Sequence, residues 1–155
     1  MSEQTSSGVM AGKRGLIMGV ANDRSIGWGI ASKLAEHGAE LAFTFQGEAL
    51  QKRVIPLAES VGSNLVLPCD VTDEASVDAV FDRLKSEWGE LDFVLHAIAY
   101  SDKEELKGGY VDTSRDNFQR TMDISVYSFT EITRKATAMM KDGGSLLTLT
   151  YYGAE

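Results

Sequence analysis

Short apolar runs alternate with stretches of helical periodicity from Arg14 to Tyr151, and no other feature of the sequence constrains the fold as much. Arg14 to Val20, Glu40 to Phe45, Asn64 to Leu67, Leu91 to His96 and Ser145 to Tyr151 are each too short for a stable helix and bounded by turn residues. Such runs suit strands buried on both faces. Between the first two, Gly27 to His37 places Ile30, Ala31 and Leu34 at helical spacing, and Gly38 supplies a left-handed stop. Leu50 to Val61 predicts a second helix, ended by Gly62. Thr72 is expected to cap a third, with Asp73 and Glu74 at its positive end and Val77, Val80, Phe81 and Leu84 as its apolar stripe. Thr113-Ser114-Arg115-Asp116 then opens a long helix with Phe118, Met122, Val126, Phe129, Ile132 and Ala136 on one face, broken by Asp142-Gly143-Gly144. Strands separated by helices imply right-handed crossovers, hence an α/β fold with a doubly wound parallel sheet covered on both faces.

A chain of 155 residues is about one domain long and buries roughly 70% of the surface its unfolded form exposes. Its 43% apolar and 25% charged residues and two prolines exclude a disordered, collagen-like or disulfide-stapled chain. The formal charge of −8 repels a phosphate backbone, which argues against nucleic-acid partners and requires any anionic ligand to be held locally. Cys69 is the sole cysteine, and the two histidines are far apart, so neither a disulfide nor a metal-ligand spacing is expected. Residues 1–12 lack the pattern of a secretion signal, and no apolar run reaches the roughly 18 residues needed to cross a bilayer. The expectation is a cytoplasmic protein without membrane attachment, with a flexible tail at 1–12 and one domain over 13–155.

In open parallel sheets, ligands bind beyond the carboxyl ends of the strands. Gly19 to Ala31 (GVANDRSIGWGIA) follows the first strand there, with glycines that permit a tight turn and helix-start amides that can face a pyrophosphate. Gly27 and Gly29 have the first spacing of a GxGxxG turn, but Ser32 stands at the third glycine position, so the alternative is a turn needing glycine only for packing. Gln46 ends the second strand, where nucleotide-binding domains often place a carboxylate for the adenosine ribose. Its amide can bond those hydroxyls without repelling a 2′-phosphate, and Lys52 and Arg53 nearby keep NADPH compatible, although NADH is favoured. Asp70, after the third strand, can accept from an adenine amino group or serve as an ordinary turn residue. His96 reads as a core histidine rather than a catalyst, since its run is strand-like and no carboxylate partner is evident. Tyr151 and Tyr152 close the fifth strand, where a phenol can donate to a substrate carbonyl as an enolate develops, or simply pack.

Taken together, GVANDRSIGWGIA, ELAFTFQ, CDV, DISVYSF and LLTLTYYGAE resemble the enoyl-acyl carrier protein reductases, a divergent branch of the short-chain dehydrogenase/reductase superfamily. The resemblance runs nearly end to end and implies a Rossmann-type dinucleotide-binding domain. It further implies that Gly19, Ser25 and Ile26 contact pyrophosphate and ribose, Gln46 the adenosine ribose, Asp70 and Val71 the adenine, and Ile98 the nicotinamide side. Tyr151 is then the catalytic tyrosine nearest the enoyl thioester. The implied reaction reduces the C=C bond of a trans-2-enoyl thioester on acyl carrier protein with NADH, in bacterial fatty-acid synthesis. The implied assembly is a homotetramer.

Family members are longer and place a second tyrosine and a lysine downstream of the fifth strand, beyond Glu155. The expectation is therefore that these residues are the N-terminal portion of a reductase, with the sheet incomplete at its C-terminal side. A catalytically silent NAD-binding or sensor module, or an inactive fragment, is the alternative.

Overall fold

The computed structural model describes residues 8–154. Five strands, β1 (Arg14–Met18), β2 (Glu40–Phe45), β3 (Leu65–Pro68), β4 (Phe93–His96) and β5 (Ser145–Thr148), form one sheet in the order β3-β2-β1-β4-β5. Every pairing is parallel. This is the expected doubly wound arrangement: the order reverses across β1, with β2 on one side and β4 on the other.

Helices α1 (Ile26–Glu36), α2 (Glu48–Ser60), α3 (Glu74–Glu87), α4 (Arg115–Met122) and α5 (Ser128–Thr137) supply the crossovers. Successive residues of a strand face opposite sides of its sheet, so β1 divides its residues between two cores. Ile17 packs with Ala31, Phe43, Val54 and Leu95, whereas Leu16 and Met18 pack with Val77, Leu84, Val94 and Ile132. Gly38 adopts φ +98° after α1, the left-handed stop expected of it.

Two sequence expectations are corrected. Asp73, not Thr72, caps α3, its side chain accepting from the Ala75 amide. The Thr72 hydroxyl donates to Asp70 instead. The fifth strand ends at Thr148, short of Tyr151, and Tyr152–Ala154 turns into a 3-10 helix.

The long helix is interrupted by a π-helical turn over Asp123–Tyr127, and Phe118, Met122 and Val126 on its apolar stripe are exposed. Ile132 and Ala136 of that stripe are buried as expected, together with the polar Asn117, Ser128 and Glu131. The early part of this face is polar because it meets the loop after β4. Asn117 Oδ1 accepts from the Asp102 amide at 2.9 Å, and its Nδ2 donates to Ser101 Oγ at 3.2 Å. Of the stretch expected as a flexible tail, residues 8–12 lie in turns, and the Met10 amide donates to the His37 carbonyl at 2.9 Å. Residues 1–7 lie outside the described residues. No described helix is long and apolar enough to cross a membrane.

Candidate functional site

A cleft of about 310 Å³ opens beyond the carboxyl ends of β1 to β4, at the point where the strand order reverses. Parallel sheets splay their outgoing loops at such a point, and ligands collect there. Its lining includes five of the eight residues named from the sequence: Gly19, Gln46, Asp70, Val71 and Ile98. Ser25 and Ile26 sit at the entry of α1 beside it, and Ile26 is 68% exposed. Tyr151 lies outside the cleft lining and is 88% exposed.

The corner between β1 and α1 is shaped by two residues. Gly19 has φ +96°, and a Cβ there would lie 1.9 Å from the Ala97 carbonyl oxygen. Only glycine lets the loop after β1 press so closely on the loop after β4. The Ser25 side chain turns away from the helix it precedes: its Oγ accepts from the amides of Ala21 and Asn22, each at 3.0 Å. No side chain caps α1, so its first amides and the positive end of its dipole are left to a ligand.

Across the cleft, Gln46 Nε2 donates to Asp70 Oδ2 at 3.1 Å. Asp70 Oδ1 accepts from the Thr72 amide at 2.9 Å and from its hydroxyl at 2.7 Å. These bonds to Thr72, then the one from Gln46 and the charge of Arg120, hold the Asp70 carboxyl below its ordinary range. It is an ionised acceptor at neutral pH. Burial, reinforced by the charges of Asp70, Glu131 and Asp73, pushes the Cys69 thiol up to about 11, which keeps it neutral.

His96 ends β4 beneath the cleft, fully buried. Its Nε2 lies 2.7 Å from Ser128 Oγ and its Nδ1 3.1 Å from Thr148 Oγ1. The Ser128 hydroxyl donates its single proton to the Ile124 carbonyl at 2.6 Å. It can therefore only accept from the ring, so Nε2 carries the proton and Nδ1 accepts from Thr148. Burial lowers the His96 pKa. The reading of His96 as a satisfied core residue holds.

Sequence reasoning missed Thr44, Thr72, Tyr100 and Arg120, all in the cleft lining. The Arg120 guanidinium carbon sits 4.8 Å from the centroid of the Tyr100 ring. The legible signal was a polar stripe, Asn117, Thr121, Ser125 and Ser128, at helical spacing beside the apolar one.

The arrangement offers uncapped helix amides at one end, a carboxylate and an amide at the other, and small residues, Ala21, Ala97 and Ala99, between them. It suits an elongated ligand with an anionic middle and hydroxyl and amino groups at one end.

Comparison with known proteins gives a consistent family. The sequence model of the enoyl-(acyl carrier protein) reductases matches residues 19–155. Enoyl-[acyl-carrier-protein] reductase [NADH] 1 of Rhizobium meliloti is 66% identical over 150 residues, which are 97% of this chain and 55% of the relative. The crystal structure of FabI from Candidatus Liberibacter asiaticus superposes with a TM-score of 0.93 at 56% identity, covering 95% of this chain and 57% of that one. The reductase of Anaplasma phagocytophilum in complex with NAD gives 0.92 at 58% identity, covering 96% and 57%. The chain thus spans a little over half the length of these relatives.

Proposed function

Because the chain belongs to the enoyl-(acyl carrier protein) reductase family, we propose that it serves the NADH-dependent reduction of the C=C bond of a trans-2-enoyl thioester carried on acyl carrier protein. The observation that carries this reading is the corner at the start of α1. Ser25 spends its hydroxyl on Ala21 and Asn22, Gly19 removes the side chain that would fill the angle, and the helix amides are left uncapped. That corner suits a diphosphate in a chain otherwise acidic.

The remaining residues take roles along the cleft. Gly19, Ser25 and Ile26 shape the diphosphate and ribose contacts, and Ile98 lies toward the nicotinamide. Gln46 commits its amide nitrogen to Asp70, so its carbonyl oxygen remains to accept from the adenosine ribose. Asp70 and Val71 flank the adenine. Lys52 and Arg53 are exposed on α2 and outside the cleft lining, which supports NADH over NADPH because neither stands in the cleft to meet a 2′-phosphate. When bound, the nicotinamide supplies a hydride to the β-carbon of the enoyl thioester. Tyr151 donates a hydrogen bond to the thioester carbonyl, where negative charge develops. The family reading also assigns fatty-acid synthesis as the pathway, the cytoplasm as the compartment and a homotetramer as the assembly.

A second reading is a module that binds NAD without turnover, because the cleft lining holds the nucleotide-side residues and not Tyr151. One experiment separates them. The protein is titrated with NADH by fluorescence and assayed for crotonyl-thioester reduction, alongside Tyr151→Phe. The reductase reading expects Tyr151→Phe to lose turnover with NADH affinity little changed. Tight NADH binding with no reduction by the full-length protein supports the module, and an equal loss of affinity and turnover in the variant assigns Tyr151 to structure.

A further inference from the structure

Arg120 is exposed on α4, one helical turn before Ile124, and both line the cleft. In a chain of formal charge −8 it forms no ion pair among the described residues. Its guanidinium lies over the Tyr100 ring, 4.8 Å from the centroid, and its charge reaches the carboxylate of Asp70 across the cleft.

The Tyr100 platform is itself fastened. Its amide donates to Ser125 Oγ at 3.0 Å, and that hydroxyl donates back to the Tyr100 carbonyl at 3.2 Å. The next two residues of the loop are tied to Asn117. A planar cation resting on an aromatic face has a second face left, and a guanidinium face stacks on flat, electron-rich rings. Asp70 opposite accepts from an exocyclic amino group. A stacking cation and a facing acceptor together describe a site for an aminopurine.

We infer that Arg120, resting over the Tyr100 ring, is the outer wall of the adenine subsite and sets how tightly the adenosine half of the cofactor is held. This rests on the dinucleotide reading above. The diphosphate has its own place at the start of α1, so Arg120 acts through its plane rather than as a phosphate-binding charge. Lysine, with the same charge but no plane, cannot replace it.

The test uses the full-length protein and titrates wild type, Arg120→Met and Arg120→Lys by calorimetry. The probes are 5′-AMP, 2′,5′-ADP, nicotinamide mononucleotide and NADH. Arg120→Met and Arg120→Lys are both expected to weaken 5′-AMP by about three- to tenfold, between the values of an exposed and a desolvated cation–π contact. Nicotinamide mononucleotide should be unaffected. Because Arg120 is exposed and unpaired, its variants should melt like wild type without ligand.

Wild-type affinity for 5′-AMP in Arg120→Met overturns the inference alone, as does its restoration in Arg120→Lys. A loss confined to 2′,5′-ADP overturns it in favour of a phosphate contact. A wild type that binds neither 5′-AMP nor NADH overturns the dinucleotide reading and this inference with it.

Discussion

The amide nitrogen of Gln46 and the carboxylate of Asp70 meet at 3.1 Å, joining the end of β2 to the turn after β3. The bond fixes which way each side chain presents its remaining acceptors, and the two Thr72 bonds clamp the carboxylate from its other side. Two residues distant in sequence thus act as one hydrogen-bonding edge of the cleft.

Asp70→Asn turns one carboxylate oxygen into a donor facing another donor. It is expected to weaken NADH by roughly tenfold, corresponding to a charged hydrogen bond of about 1.5 kcal/mol. Fluorescence titration of NADH measures this. The native carboxyl is held below its ordinary value of 3.8, so its contribution to stability is present above that pH and lost as pH falls through the folded value. The acid limb of an unfolding profile should therefore be shallower in the variant.

Gly19→Ala and Gly29→Ala should move stability in opposite directions. At Gly19 the left-handed backbone alone costs about 1–3 kcal/mol for a non-glycine residue, and the added carbon collides with the Ala97 carbonyl. NADH affinity should fall with it, because the two loops are forced apart. Gly29 lies inside α1, and an added Cβ meets nothing within 4 Å. Alanine there should stabilise the fold by about 0.5–1 kcal/mol through helix propensity. Urea unfolding of the two variants gives both signs in one experiment.

His96 predicts a second pH dependence. Burial lowers the pKa of the folded ring below its ordinary value of 6.5, whereas the unfolded chain protonates near that pH. Between the folded and unfolded values the unfolded state binds more protons, so stability is full above 6.5 and declines as pH drops below it. Comparing unfolding free energies at pH 7 and pH 5.5 for wild type and His96→Gln isolates the effect. A variant losing as much stability as wild type over that interval would show that another group is responsible.

The β-α alternation and the buried strands β1, β2 and β4 were legible because period and length carry them, whereas β3 is only partly buried and β5 is mostly exposed, against the expectation of burial on both faces. So were Gly19, Gln46, Asp70, Val71 and Ile98, since each directly follows a strand and the topology then assigns it to the cleft. Thr72 and Asp73 are both capping types, and nothing local decides between them. The choice follows from Asp70, which captures the Thr72 hydroxyl and leaves the cap to Asp73.

The long helix misled for a similar reason. Ile132 and Ala136 are buried as the stripe requires, but Phe118, Met122 and Val126 before them are exposed and the polar Asn117 is buried, because the loop carrying Tyr100, Ser101 and Asp102 must be bonded to something. Arg120 enters the cleft from that helix, twenty residues past Tyr100, and strand-end reasoning does not reach it.

The widened turn at Asp123–Tyr127 hitches the lip of the cleft to the floor of the sheet. Ser125 within it grips the Tyr100 backbone, and Ser128 just after it grips the His96 ring while holding the Ile124 carbonyl. One short coil therefore ties the loop that carries Tyr100 to the seat of a buried imidazole, so the chemical environment of that ring is expected to register any shift of the loop.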